Sequence, residues 1–184
     1  MKQLVYILLL LTTTLSSNAA GNYYVSATGS DGANGQAIAT AFKTIQHAVS
    51  QAATDDTINV LAGTYSITSP IVISKSLMIR KHGTGLVLLD AHAWPAATPK
   101  KEMLTVNGVH DVTIDGLDLV NCIGIGSKAI YVHGWSSSIV ISNCTIRNIG
   151  WIDNDLTTIP TNSADHNAYA IHIVGDAANA ISYP

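Results

Sequence analysis

Apolar residues alternate with polar ones through most of the chain beyond residue 70. An alternation with a period of two predicts β-strands that have one buried and one exposed face. The runs are short and are separated by Gly, Asn, Asp or Ser, which are typical turn residues. The predicted strands are 71–73, 77–79, 86–89, 104–106, 112–114, 117–119, 130–132, 139–141, 144–146, 171–173 and 180–181.

These strands recur in copies. Residues 111–122 align with 138–149 at an offset of 27. Residues 103–108 align with 129–134 at an offset of 26, and 129–134 align with 170–175 at an offset of 41. The strongest matches are the pairs Val112/Ile139, Ile114/Ile141, Leu117/Cys144, Leu119/Ile146 and Asn121/Asn148. A repeat of this length built from strands alone indicates a solenoid in which each copy is one coil.

The alignment also predicts what lies at the corners of the coil. Asn121 and Asn148 occupy the same turn, where stacked side-chain amides can satisfy backbone groups between coils. The glycines at 108, 134 and 175 share another corner. Cys144 lies over Leu117 and Cys122 under Ile149, too far apart for a disulfide, so we expect two free thiols with Cys144 pointing inward.

The pattern changes near the N-terminus. Apolar residues at 42, 45, 48 or 49 and 52 follow a helical period, so we expect one amphipathic helix of about three turns. Thr40 is the expected N-cap. Short strands are expected at 24–26 and 57–60, with a turn at 62–65.

This N-terminal block contains YYVS, GSD, FKTIQ, DTI and GTY in that order, between Tyr23 and Tyr65. It resembles the N-terminal module of secreted right-handed parallel β-helix proteins of the pectate-lyase-like superfamily. The resemblance implies an all-β fold, a single-stranded right-handed parallel β-helix (solenoid) with an N-terminal capping α-helix. Residues 21–65 would form the first strand and the capping helix, and residues 66–184 the coils.

Residues 1–20 have the features of a signal peptide: Lys2, an apolar core at 4–11 and a small-residue cleavage site after Ala19 or Ala20. We therefore expect a secreted, periplasmic or cell-surface protein without stable membrane insertion. The chain stops at Pro184, part-way through a fourth coil, so we expect it to be the N-terminal part of a longer protein.

Charge narrows the class of partner. Only 11% of the residues are charged, the net charge is -3, and the nine Lys and Arg are scattered. This distribution argues against a nucleic-acid partner, since binding to phosphates needs clustered cations. We expect a monomer that binds a polysaccharide, the partner that the resemblance implies.

Three connections of unequal length mark one edge of the solenoid: residues 90–102, 120–128 and 150–168. Such insertions on one side of a repeat usually line the binding face. On the adjacent strands the outward column reads Thr105, Tyr131, His172. The predicted substrate-binding residues are Tyr131, His133, His172, Trp94 and Trp151.

Simpler interpretations stay open for each of these residues. Tyr131 and His172 could be a packing pair between coils, and Trp94 could anchor its connection. Acidic and imidazole groups in the longest connection could form a calcium site. These groups are Asp153, Asp155, Asp165 and His166. We expect no paired catalytic carboxylates, because the corner at Gly116 turns Asp115 and Asp118 apart.

The function follows from the resemblance and from this column. We expect a polysaccharide lyase or glycoside hydrolase acting on a cell-wall or extracellular glycan. The alternative is a non-catalytic surface glycan-binding or adhesin solenoid. No catalytic residue is assigned from the sequence, although Lys81, Lys128 or Arg147 could supply the base that lyases of this superfamily use.

Overall fold

The computed structural model describes residues 20–95, 101–124, 126–150 and 169–174. Strands dominate this part of the chain, and one helix, α1 (Ile45–Gln51), precedes most of them. The strands are β1 (Asn22–Val25), β2 (Asp56–Ser66), β3 (Ile71–Ile73), β4 (Leu77–Asp90), β5 (Glu102–Asn107), β6 (His110–Asp115), β7 (Asp118–Ile123), β8 (Lys128–His133), β9 (Ser137–Ser142), β10 (Thr145–Gly150) and β11 (Tyr169–Ile173).

Each complete coil contains three strand segments, and all the described pairings between coils are parallel. The first segments form a four-stranded sheet in the order β11-β8-β5-β3, which we call the first-strand sheet. The second and third segments form a seven-stranded sheet, because β4 runs through two faces and pairs with both β6 and β7. The predicted parallel β-helix is therefore confirmed.

The predicted alignment of the copies is also the observed register. Ile114 pairs with Ile141 at the offset of 27. Ile130 pairs with Leu104 on one side at the offset of 26, and with Ile171 on the other at the offset of 41. The sequence repeat and the spatial repeat are one and the same, even though the connections between coils differ in length.

The core is the inside of this coil. Inward side chains such as Ile79, Ile114 and Leu119 are fully buried, whereas Val140 on the outer face is 51% exposed. Full burial of such a side chain contributes roughly 1.5–3 kcal/mol. Columns of aliphatic side chains therefore provide most of the stabilisation between coils.

The corners are built from left-handed backbone at equivalent positions in successive coils. Asn121 and Asn148 have φ angles of 59° and 54°. The Asn148 amide donates to Asn121 Oδ1 at 3.1 Å, and the Asn121 amide donates to Asp90 Oδ1 at 3.0 Å. The predicted asparagine ladder is confirmed, and it continues onto a carboxylate one coil earlier.

A second corner stacks two of the three predicted glycines. Gly108 and Gly134 both have positive φ, 61° and 69°. A Cβ on Gly134 would lie 2.9 Å from the backbone nitrogen of Gly108. The coils approach too closely here for any side chain. Gly175 lies outside the described residues.

Both cysteines are free, as expected. Cys122 is completely buried, and Ile149 pairs with it in the next coil. Burial raises the pKa of the Cys122 thiol to about 11. Cys144 packs against the core, and burial raises its pKa as well. Both thiols thus behave as small apolar side chains.

The N-terminal helix is shorter than predicted, and its cap is different. Thr44, not Thr40, is the N-cap, and its hydroxyl accepts from the His47 backbone N–H at 3.2 Å. Thr40 ends a short 3₁₀ turn and donates to Asn34. Phe42 lies outside the helix in a bridge with Val25. No helix among the described residues is long and apolar enough to cross a membrane.

The turn predicted at residues 62–65 is instead part of β2. The register between β2 and β4 shifts between Leu61 and Gly63, so a bulge bends the strand without ending it. The strand β2 also pairs with β1. Strand pairing is thus continuous from the N-terminal strand into the coils.

Asp31 fixes the start of α1 from a distant loop. Its Oδ1 accepts from the backbone N–H groups of Lys43 and Thr44 at 2.8 and 2.9 Å, and its Oδ2 accepts from the Thr44 hydroxyl at 2.9 Å. Burial opposes the charge of Asp31, but the hydrogen bonds from Thr44 and Lys43 outweigh it, and the pKa falls below the ordinary value of 3.8.

We expect Ile114→Ala to lower the free energy of unfolding by about 2–5 kcal/mol, because it leaves a cavity in a closely packed column. The control is Val140→Ala on the outer face, which should change it by less than about 0.5 kcal/mol. Denaturant unfolding measures both. Equal losses would contradict the assignment of inward and outward faces.

We expect Asp31→Asn to lower the free energy of unfolding by about 1 kcal/mol near neutral pH. A carboxylate whose pKa is depressed on folding stabilises the protein above its unfolded pKa, and this contribution is lost as the pH falls through the folded pKa. The melting temperatures of wild type and variant should therefore converge below about pH 4. Asp118→Asn is the control, and a difference that persists in acid would refute the role of the Asp31 charge.

Candidate functional site

The outer face of the first-strand sheet holds the predicted column. Tyr131 pairs with Thr105 in the preceding coil and with His172 in the following coil. His133 lies two residues beyond Tyr131 on the same strand, opposite Asn107. The structure thus brings together three of the five predicted binding residues, namely Tyr131, His133 and His172.

The aromatic side chains form one continuous stack. The ring of Tyr131 lies 4.5 Å from that of His133 and 5.3 Å from that of His172, centroid to centroid. Tyr169 stacks on the other side of His172 at 4.3 Å. The interplanar angles are 18°, 24° and 12°. We call the four rings of His133, Tyr131, His172 and Tyr169 the ring stack.

The stack decides which atoms can meet a ligand. Stacked rings cover one another's faces, so the faces of Tyr131 and His172 are not free to lie against a sugar. Ring edges, phenol hydroxyls and imidazole nitrogens remain. Among the described residues, Nδ1 of His172 is buried and has no hydrogen-bond partner. The phenol hydroxyls and the imidazole nitrogens that are not buried can donate and accept hydrogen bonds along the edge of the stack.

An ion pair lies at the base of the stack. Lys128 Nζ lies 3.0 Å from Glu102 Oε1, and the Thr105 hydroxyl donates to Glu102 Oε2 at 3.4 Å. The same ammonium lies 4.5 Å from the centroid of the Tyr131 ring and donates to the Gly126 carbonyl at 3.4 Å. The Lys128 side chain is only 11% exposed. The positive charge of Lys128 is therefore compensated within the protein.

Glu102 and Tyr169 were missed by the sequence prediction, and Lys128 was only one of three candidate bases. Strict alternation from Leu104 and Ile130 would point Glu102 and Lys128 inward. Met103 and Leu104 are instead both fully buried, as are Ala129 and Ile130, so alternation breaks at the start of each strand. The offset of 26, which places Glu102 against Lys128, was the available signal.

The other two candidate bases lie away from this sheet. Lys81 is on β4, where its side chain faces Gly116. Arg147 is exposed on β10. Lys128 is the candidate base that the structure brings to the ring stack.

Trp94 lies in the core and not in a groove. Its side chain is 6% exposed and packs in the main hydrophobic cluster. Its carbonyl accepts from Lys101 Nζ at 3.1 Å, and that ammonium also donates to the Ile123 carbonyl at 2.5 Å. The expectation that Trp94 stacks on a sugar therefore gives way to the alternative, an anchor for its connection.

Trp151 and the proposed calcium ligands Asp153, Asp155, Asp165 and His166 lie outside the described residues. Within the part that the structure describes, no group of three or more His, Cys, Asp or Glu side chains is arranged to hold a metal ion.

Asp115 belongs to a corner and not to a catalytic pair. It accepts hydrogen bonds from the Ser142 hydroxyl and the Asn143 amide, both at 2.7 Å. The hydrogen bonds from Ser142 and then Asn143 lower its pKa. Asp118 is on the next strand, opposite Thr145. The two carboxylates lie on different strands either side of the Gly116 corner, as the sequence indicated.

A cavity of about 430 Å³ lies between α1 and the connection from β2 to β3. Ile45, Ile67 and Ile71 supply apolar lining, and Gln46 and Thr68 are among its polar residues. Gln46 Oε1 already accepts from the backbone N–H of Val72. This connection leads into β3 of the first-strand sheet.

Comparison with known proteins supports the architecture. No family model matches the chain, and no curated protein matches it. Among solved structures it is similar to a rhamnogalacturonan lyase, with a TM-score of 0.57 and 14% sequence identity. The similarity covers 65% of this chain and 34% of the lyase, so the chain spans about a third of that protein's length. At this identity the likeness concerns the fold, a parallel β-helix.

Proposed function

We propose that this chain is part of an exported carbohydrate-active β-helix protein, a polysaccharide lyase or glycoside hydrolase of a cell-wall or extracellular glycan. The observation that carries the proposal is the ring stack on the first-strand sheet, with Lys128 and Glu102 at its base. The strands that hold it follow the connections that vary in length. The lyase fold of the similar structure adds support at the level of architecture.

The edge of the stack suits a sugar chain. Phenol hydroxyls and imidazole nitrogens match the hydroxyl groups of a pyranose, which both donate and accept. The rings come from two successive coils, and Val72 and Thr105 occupy the same column in the two coils before them. A glycan lying along the solenoid would therefore meet the aromatic edge over two coils. An imidazole can also move a proton, which makes His172 the first candidate for an acid or base.

A second candidate function is a non-catalytic glycan-binding solenoid. Hydrolysis by two carboxylates needs a free acid and a free base flanking the scissile bond. Beside the ring stack, within the described residues, Glu102 is the one carboxylate, and both its oxygens are engaged by Lys128 and Thr105. This arrangement favours binding over hydrolysis by the coils described here.

We expect Tyr131→Phe to weaken glycan binding without changing the melting temperature. The variant keeps the ring and its stacking but removes the hydroxyl. Loss of one hydrogen bond of about 0.5–1.5 kcal/mol weakens binding roughly two- to tenfold. Affinity electrophoresis in gels containing polysaccharide measures the change.

The matched control is His82→Ala, which removes a histidine from another Tyr–His pair. His82 lies edge-on to Tyr24 at 5.5 Å, on the seven-stranded sheet. We expect the glycan binding of His82→Ala to equal that of the wild type. Equal weakening by both variants, or a lower melting temperature for Tyr131→Phe with unaltered binding, would make the ring stack a packing feature.

Reaction type is tested with the wild-type protein on a panel of polysaccharides. A lyase produces an unsaturated sugar that absorbs in the ultraviolet, and a hydrolase produces reducing ends without that absorbance. His172→Ala should abolish either signal if the imidazole transfers the proton. Binding without either product would assign the chain to the non-catalytic class.

A further inference from the structure

We infer that the glycan bound at the ring stack is neutral, and that the site discriminates against polyuronates. The inference rests on the proposed function and narrows it to a hydrolase or a binder of neutral glycans, because a lyase needs the acidic proton beside a uronate carboxylate. It follows from where the cations of the chain lie and what each one contacts.

The cation nearest the stack is not available to a ligand. Lys128 is held by Glu102, by the Gly126 carbonyl and by the face of the Tyr131 ring. An ammonium has three N–H donors, and these three contacts use them. The side chain is 11% exposed, so a carboxylate would have to displace Glu102 to reach it.

A second cation, in the connection that precedes β5, is also unavailable to a ligand. Lys101 is 2% exposed, and its ammonium donates to the carbonyls of Trp94 and Ile123. It ties the end of β7 to the connection that leads into β5. This charge holds backbone together below the surface instead of facing a ligand.

The remaining described cations lie elsewhere. Lys75 donates to carbonyls of residues 50 and 52 at the end of α1. Arg80 donates to Asn59 on the seven-stranded sheet, and Lys81 lies on the same strand, β4. Lys43 is on the N-terminal cap and Arg147 on β10. No uncompensated cation faces the ring stack within the part of the chain that the structure describes.

Among the described residues, the groups at the stack that lack an ionic partner are therefore uncharged. Tyrosine hydroxyls, imidazoles and Asn107 present donors and acceptors that suit hydroxyl groups. A polyuronate carries a carboxylate on every sugar, and each one brought to this edge would lose water without gaining a counter-charge.

The test compares glycans with the wild-type protein at about pH 8, where a free imidazole is uncharged. Binding to neutral galactan, arabinan and xylan is measured against binding to polygalacturonate and alginate, at low and raised salt. We expect binding to a neutral glycan that salt leaves unchanged, and none to the polyuronates. Polyuronate binding that weakens with salt would overturn the inference but leave the proposed function standing. Binding to neither class would overturn the proposed function together with it.

The variant Glu102→Gln tests the inference through an expected gain of polyuronate binding. The amide keeps the shape of the side chain but releases the charge of Lys128 at the base of the stack. We expect polyuronate binding, absent from the wild type, to appear in this variant and to be lost with salt. Asp118→Asn, which makes the same change in net charge on β7, should have no effect.

The wild-type comparison does not depend on how well this variant folds, and a thermal melt of Glu102→Gln accompanies the binding assay. A folded variant without any gain in polyuronate binding would show that the charge of Lys128 does not govern selectivity. An equal gain for Asp118→Asn would attribute the effect to net charge and would also overturn the inference.

Discussion

The parallel pairing of one coil with the next is the constraint on which the rest of this protein depends. Backbone hydrogen bonds on three faces fix neighbouring coils at the strand spacing of about 4.8 Å. Every side chain then has a partner directly above or below it. The aliphatic core, the ladder Asp90–Asn121–Asn148 and the contact of Tyr131 with His172 are three results of that single spacing. Flat rings and side-chain amides suit it, because each can meet a neighbour at about this distance.

The same constraint shows why the site presents edges and not faces. A residue on an inner strand of the first-strand sheet has neighbours above and below, so adjacent aromatic rings cover one another. Tyr131 lies between His133 and His172, while Lys128 approaches its ring. Selectivity then depends on what the tips of these side chains carry and on which charges the protein has already compensated. Recognition in this fold is thus set by columns more than by single residues.

The periodic part of the structure could be predicted from the sequence. The pairs Ile114/Ile141 and Leu119/Ile146 could be predicted because the sequence repeat coincides with the register of the strands. The local exceptions to this pattern could not be predicted from the sequence. Thr44 caps the helix because Asp31, thirteen residues away, holds its backbone, and nothing near Thr40 signals this. The buried neighbours Met103 and Leu104 break the alternation, which turned Glu102 and Lys128 onto the outer face. Trp94 sits in an aperiodic connection, whose packing no alignment of copies predicts.

A chain built from coils with the same apolar pattern can mispair during folding, since a strand that pairs one coil out of place keeps its apolar face turned inward. The pair of Glu102 and Lys128 favours the correct strand pairing over an incorrect one. Opposite charges meet when β5 lies next to β8, and a slip that separated the two strands would bury a carboxylate or an ammonium without its partner. Polar residues at single positions fix the register of coiled coils in the same way. The ion pair that compensates the charge of Lys128 thus also distinguishes β5 and β8 as neighbouring strands.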